Sequence, residues 1–260
     1  MHQFGAEALT SGMLQQAYHD VFRSSEQRAV LETTPLDYIW SDGDTVEAGS
    51  EYAKSAMKQT NAAYRAIVPH YKMIGEQETK ASHAAKNESG PIYKSEQQTE
   101  HGKNHLGNWH SYMAGTTKFI ATDTRTYLLT ERRSDGKLTI FGDEQLLWLE
   151  KELQSAAEDK DVHGVVILMA LSWKSPIDFR RGKTLHEKEE LSVLIRRLGF
   201  NTEVTKKWLV MLSGDANVLG HDSGEYNAYG GFPLFHCGSM DAEASCRHEG
   251  WSTGPFFERG

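Results

Sequence analysis

The sequence predicts an α/β fold in which short apolar strands alternate with amphipathic helices. Three observations predict it. The runs VVILMAL at 165–171 and WLVML at 208–212 are too short for helices and read as buried strands. The stretches 144–157 and 185–198 carry apolar residues at helical spacing. Strand and helix then follow one another along the chain, the order that gives a layered sheet with flanking helices.

The length of 260 residues suits one large domain or two small ones. With 38% hydrophobic residues and a mean hydropathy of −0.57 the chain is polar but not disordered in composition. A net charge of −8 and a pI near 5.8 argue against a nucleic-acid or anionic-membrane binder, which needs a basic face. They leave room for a local positive pocket that takes a phosphate. Cys237 and Cys246 could form one disulfide, but so sparse a pair reads as two ordinary thiols. No stretch reaches the ~18 apolar residues of a membrane span. The N-terminus lacks the basic start and apolar core of a signal peptide, so the chain as it begins is expected in the cytoplasm, unless residues precede Met1.

From the N-terminus, Ala8, Leu9, Met13, Leu14, Ala17, Val21 and Phe22 recur at helical spacing and predict one helix over 5–30, lying outside a sheet. Leu36–Trp40 reads as a short strand, with Ser41-Asp42-Gly43-Asp44 as the turn after it. A second helix is expected over 49–71, stopped by Pro69. Residues 72–110 are polar and read as a long solvated loop, or an insertion reaching about 112. His101, His105 and His110 within it read as exposed histidines more readily than as metal ligands.

Thr116–Thr124 alternates and is rich in β formers, a strand ending on Asp123. Leu138–Phe141 reads as a small strand or a turn. Asp143 is the expected cap of the helix over 144–157, with Leu146, Leu147, Leu149 and Leu153 on its inner face. The near-continuous strand over 165–171 is expected to be buried on both faces. The helix over 185–198 carries Glu187, Lys188, Glu189, Glu190, Arg196 and Arg197 on its expected wet side. Phe232–His236 is a last strand candidate, and the tail from Gly238 reads as turns without a further element.

Acidic residues recur where strands end: Asp42 and Asp44, Asp123, Asp215. After the strand at 208–212, Asp215, Asn217, His221 and Asp222 follow closely with no Lys or Arg among them. Such a cluster holds a divalent metal or forms a polar turn. Carboxylates gathered at one sheet edge are the geometry of metal-assisted hydrolysis.

These strand ends resemble the alkaline phosphatase D family of metallophosphoesterases. Ile39-Trp40-Ser41-Asp42-Gly43-Asp44 stands where that family has Trp-Asp-Asp-His-Asp, and Gly90-Pro91-Ile92-Tyr93 and Asp123-Thr124-Arg125-Thr126 follow in its order. Gly142-Asp143-Glu144-Gln145-Leu146-Leu147-Trp148-Leu149 is similar to its Gly-x-x-Gln-x-x-Trp-Leu helix, and Gly214-Asp215-Ala216-Asn217 to its Gly-Asp-Ala-His motif. Gly231-Phe232-Pro233 and Gly250-Trp251-Ser252-Thr253-Gly254 resemble its closing turns. The likeness runs over about residues 30 to 260.

The resemblance implies a metallo-dependent phosphatase-like α/β/β/α sandwich lacking its first strands, because the family's first Gly-Asp motif would precede residue 1. It implies a metal, iron or calcium, and a phosphate-ester small molecule as ligand. It implies metal-ligand positions at Asp42, Asp215 and Asn217, and orienting or ligand-binding roles for Asp44, Asp123, Arg125 and His221. Departures from the family pattern weigh against turnover. Ser41 replaces the first Asp, Gly43 one imidazole and Asn217 another. Losing one catalytic imidazole typically costs ~10²–10⁴ in rate. His221, four residues past Asn217, reads either as a relocated imidazole or as an ordinary loop histidine. The expectation is a phosphoric ester hydrolase ancestry with catalysis impaired; the alternative is a non-catalytic relative that binds a phosphate-bearing ligand or a protein.

Overall fold

The computed structural model describes residues 11–34, 37–41, 51–68, 107–127, 132–174, 184–214, 218–238 and 250–256. Among them a seven-stranded mixed sheet lies beside a separate helical unit. The α/β class read from the sequence is the class observed.

The helical unit is made of α1 (Ser11–Arg23), α2 (Ser25–Leu31) and α3 (Glu51–Ile67). The single helix expected over 5–30 is broken at Ser24, which is in an extended conformation. Its Oγ accepts from the Gln27 amide, capping α2, and donates to the Val21 carbonyl that ends α1. Nor does α1 lie on the sheet. Leu14 and Tyr18 pack with Met57, Ala63 and Tyr64 of α3, because both helices offer an apolar stripe and each is the other's cover. Residues 37–41 form no strand; Tyr38 and Trp40 turn into this helical cluster, where Tyr64 donates its hydroxyl to the Tyr38 carbonyl.

The sheet is ordered β1-β2-β3-β4-β6-β5-β7, from β1 (His110–Ala114), β2 (Thr117–Ala121), β3 (Gly164–Met169), β4 (Trp208–Ser213), β5 (Leu219–Asp222), β6 (Leu234–His236) and β7 (Thr253–Phe256). β2, β3, β4 and β6 run parallel, whereas β1, β5 and β7 pair antiparallel at the flanks. β1, β5 and β7 were not expected. β1 takes the end of the stretch read as solvated loop, and β7 lies in the tail read as turns. Residues 69–106 and Cys246 lie outside the described residues. The segment over 138–141 contributes only an isolated bridge, Arg132 to Leu138.

α4 (Gly142–Glu158) and α5 (Leu185–Leu198) cover one sheet face. α4 buries Gln145, Leu149, Leu153 and Ala156, so its inner face is rotated from the leucine-based expectation and Leu147 is exposed. Asp143 does not cap it. Thr139 Oγ accepts from the Gly142 amide, and the Asp143 carboxylate instead takes Arg133 and the Ser134 amide. At its far end Lys207 donates Nζ to the carbonyls of Ala156, Ala157 and Asp159, the cation that the carbonyl end of a helix attracts. α5 has the bounds expected, stopping at Gly199 in the left-handed region. Its wet side is not as expected, because Glu187 and Lys188 are buried. No described helix is long and apolar enough to cross a membrane.

Candidate functional site at the C-terminal edge of the parallel strands

Because β2, β3, β4 and β6 are parallel, their C-terminal ends share one edge, where ligands of open α/β sheets collect. Backbone and hydroxyl bonds stitch this edge across. Thr122 donates its amide and its hydroxyl to the Leu168 carbonyl. Ser213 Oγ donates to the Leu171 carbonyl and accepts from the Trp173 amide, and the Cys237 amide reaches the Ser213 carbonyl. The loops that leave the edge therefore start from fixed points.

Asp123 follows β2 and is buried. Its Oδ1 accepts from Trp40 Nε1 at 3.0 Å and from the amides of Arg125 and Thr126, each at 2.9 Å. Its Oδ2 accepts from the Asn108 amide at 2.7 Å and from Thr126 Oγ1 at 2.6 Å. Gln145 of α4 closes on the backbone of the same residue, accepting from its amide and donating to its carbonyl. A carboxylate offers about four lone-pair positions. With five donors already on Asp123, no room remains for a metal, and the group acts as a buried fastener.

A second polar cluster continues from it toward the helical unit. Arg65 of α3 donates Nε to Asn108 Oδ1 at 3.0 Å and another guanidinium nitrogen to the Gly107 carbonyl. His110, buried at the start of β1, sets Nδ1 against the Asn108 carbonyl at 3.2 Å and Nε2 against Asp37 Oδ1 at 2.9 Å. His110 is thus not the exposed loop histidine expected from its polar surroundings; His101 and His105 lie outside the described residues.

A third cluster lies beyond β3. Lys174 Nζ reaches Asp222 Oδ2 at 2.6 Å and the Gly250 carbonyl, and stands 4.6 Å from the Trp251 ring centroid. Burial pushes the Asp222 carboxyl up, but the Lys174 ammonium and the amides of Tyr226 and Gly224 outweigh it and hold the group below its ordinary value. Beside this pair is a cleft of about 100 Å³ lined by Trp173, Lys174, Lys188, Tyr226, Asn227 and Tyr229.

Of the residues that the family resemblance singles out, Asp42, Asp44, Asp215 and Asn217 lie outside the described residues. Their neighbours Trp40, Ser41, Ser213 and Gly214 are described. Trp40 is bonded to Asp123 at the end of β2, and Gly214 leaves β4 with its amide on the Met169 carbonyl. Arg125 is buried beside Asp123. His221 is elsewhere: it is in β5 rather than a loop and stacks on Phe235 at 4.5 Å. Three strands separate β5 from β2 in the sheet, so His221 does not join Asp123 and Arg125. Among the described residues no group of three or more His, Cys, Asp or Glu side chains could hold a metal.

Sequence reasoning did not single out Asp37, Arg65, Asn108 or Lys174, and it read the buried His110 and Lys188 as exposed. Only Asp37 left a signal, a charge inside the apolar run Leu36–Trp40 that a strand would have to bury or expose. The others are drawn together by contacts between distant stretches, such as the 73 positions separating His110 from Asp37.

No protein-family model matches the chain, and no curated protein is similar to it in sequence. A solved structure described as "Structure of PhoD" shares the fold, with a TM-score of 0.58 and 14% sequence identity. The match covers 92% of this chain and 46% of that chain, so this chain spans about half the length of its structural neighbour.

Proposed function

We propose that the chain is a metallophosphatase-like domain of the alkaline phosphatase D kind, of α/β/β/α sandwich architecture, with phosphoric ester hydrolase ancestry and impaired turnover. The observation that carries the reading is the fold likeness to PhoD across 92% of the chain. The Trp40–Asp123 bond supports a shared site. It ties the segment that leads into Asp42 to the sheet edge from which β4 leads into Asp215, about 10 Å away at two strand spacings.

The donor set decides which metal suits such a site. Asp42, Asp215 and Asn217 offer two carboxylates and a neutral amide oxygen, which fit one hard cation of the calcium or magnesium kind. They do not fit a soft or imidazole-rich centre. A cation there would polarise a phosphoryl oxygen. The chain's own residues supply little beyond charge and position. Gly43 offers no imidazole to the leaving oxygen, and Asn217 can neither take nor give a proton. The ligand of this reading is a phosphate-ester small molecule, since a chain of net charge −8 repels a nucleic-acid polyanion.

The test is an assay of a phosphomonoester and a phosphodiester with iron, calcium, manganese or zinc added, together with melting curves. No hydrolysis above background is expected, and calcium should raise the melting temperature of the wild type but not of Asp215→Ala. Metal-dependent hydrolysis abolished by Asp215→Ala would overturn the impaired-turnover reading. Equal calcium responses in both proteins would overturn the metal site.

A further inference from the structure

Residues 37–41 form no helix or strand, yet bonds to three different elements hold them. Asp37 Oδ1 stands 2.9 Å from His110 Nε2 at the start of β1. The Tyr38 carbonyl accepts from the Tyr64 hydroxyl of α3. Trp40 Nε1 donates to Asp123 Oδ1 after β2. Four consecutive residues are thus pinned at both ends and between them, each time by a partner at least 26 positions away.

These bonds close into a ring. His110 is buried, and both its nitrogens face acceptors: the Asp37 carboxylate on one side and the Asn108 carbonyl at 3.2 Å on the other. Asn108 in turn donates its amide to Asp123 Oδ2, while its Oδ1 accepts from Arg65 Nε. Asp123 holds Trp40, and the backbone from Trp40 returns to Asp37. Stability alone does not account for this ring. Asp37 Oδ2 and Asn108 Nδ2 are buried and have no hydrogen-bond partner among the described residues. A buried polar atom without a partner costs stability, and an apolar pair in place of a buried polar one is often as stable or more so. Local rules are broken in this way where a fold serves a site.

We infer that Asp37 and His110 are positioning residues for the cation site, aiming the segment that leads into Asp42. The inference rests on the metal reading above. Asp42 follows Trp40 by two residues, so the two Cα atoms are within about 8 Å of each other. A chain fixed only at Trp40 can swing about that one bond. A second fixed point three residues earlier sets the direction in which the backbone leaves Trp40. Asp37 acts through its hydrogen bond to the ring and through the backbone, with no contact to the cation. Contacts that orient a metal ligand in this way typically contribute about 10–100-fold to affinity.

Terbium, a hard cation that takes the oxygen ligands of calcium, tests this on the full chain. Its luminescence, excited through tryptophan, is titrated with calcium as competitor, and circular dichroism checks the fold of each variant. Asp37→Leu should weaken binding about 10–100-fold. The double variant Asp37→Leu with His110→Phe fills the same space with apolar groups and should bind as weakly; it guards against the single variant failing to fold. Asp37→Asn, whose amide oxygen still accepts from the ring, should bind within about threefold of the wild type. Apolar variants that bind as the wild type does would overturn the positioning role and leave the metal reading standing. Equal weakening in Asp37→Asn would make the charge rather than the hydrogen bond the active feature, and would overturn the role as well. A wild type that binds no terbium, or binds it no better than Asp215→Ala, would remove the metal site and this inference with it.

Discussion

The indole nitrogen of Trp40 donates to Oδ1 of Asp123 across 3.0 Å, joining residues 83 positions apart. One end of this bond belongs to the helical unit and the other to the end of β2. Since Asp123 also anchors the Asn108 amide, its carboxylate is where the helices, the entry to β1 and the exit from β2 meet. What positions the segment before Asp42 is therefore a buried charge with all its acceptor positions filled.

Trp40→Phe keeps the ring in the cluster and removes one charge-assisted bond, so it should cost about 1.5–3 kcal/mol in urea unfolding. Asp123→Ala orphans five buried donors and should cost more, above about 3 kcal/mol. A loss below about 1 kcal/mol for Asp123→Ala would mean that water replaces the carboxylate and the fastener reading is wrong.

Lys174 and Asp222 are a nearly buried ion pair. Truncating one partner leaves a buried charge, so Lys174→Met should cost about 3–5 kcal/mol, while Lys174→Met with Asp222→Leu should recover part of the loss. The folded carboxyl of Asp222 is held below its ordinary 3.8. Its stabilisation is therefore present above that value and lost as the pH falls through the folded one. Asp222→Asn should accordingly flatten the acid limb of the stability profile below about pH 4. An unchanged acid limb in this variant would remove Asp222 from the account.

Gly224 has φ of +105°, and a Cβ there would meet the Gly231 carbonyl oxygen at 2.2 Å. Neither backbone can yield without opening the turn that positions Asp222. Gly224→Ala should cost about 2 kcal/mol or more, visible as a lower melting temperature. A neutral substitution would show that this turn carries little of the stability.

The parts of the fold legible in the sequence were those fixed by local pattern. The bounds of α5 follow from its periodicity and the glycine after it, and β3 and β4 from apolar runs bounded by turns. Elements fixed by distant partners were not legible. HSYMA becomes β1 because β2 lies beside it, and the short β5 and β7 exist through pairing with each other, across an irregular register, and of β5 with β6. The break at Ser24 carried no glycine or proline to announce it. The strand ends that point to the candidate site were visible as Asp123 and Gly214, yet what Asp123 bonds was not, because its partners come from 40, 108 and 145 as well as its own turn.

Glu187 gives the last prediction, since sequence pattern set it on the wet side of α5 and the fold buries it. Its Oε1 accepts from Thr139 Oγ1 at 2.5 Å and its Oε2 from the Ile140 amide at 2.7 Å, joining α5 to the entry of α4. Burial pushes the carboxyl above its ordinary 4.5, and these two bonds only partly oppose that. The raised group binds its proton more tightly when folded, so its contribution is full below 4.5 and declines as the pH rises through the folded value. The stability of the wild type should therefore fall relative to Glu187→Gln between about pH 4 and about pH 7, as read by urea unfolding at the two ends. Glu187→Ala should be less stable than either, by about 2–4 kcal/mol, because the Ile140 amide and Thr139 hydroxyl are left without an acceptor. If the wild type instead gained on Glu187→Gln as the pH rose, the two donors would outweigh the burial of the charge, and Glu187 would be a stabilising carboxylate rather than a group the fold prefers neutral.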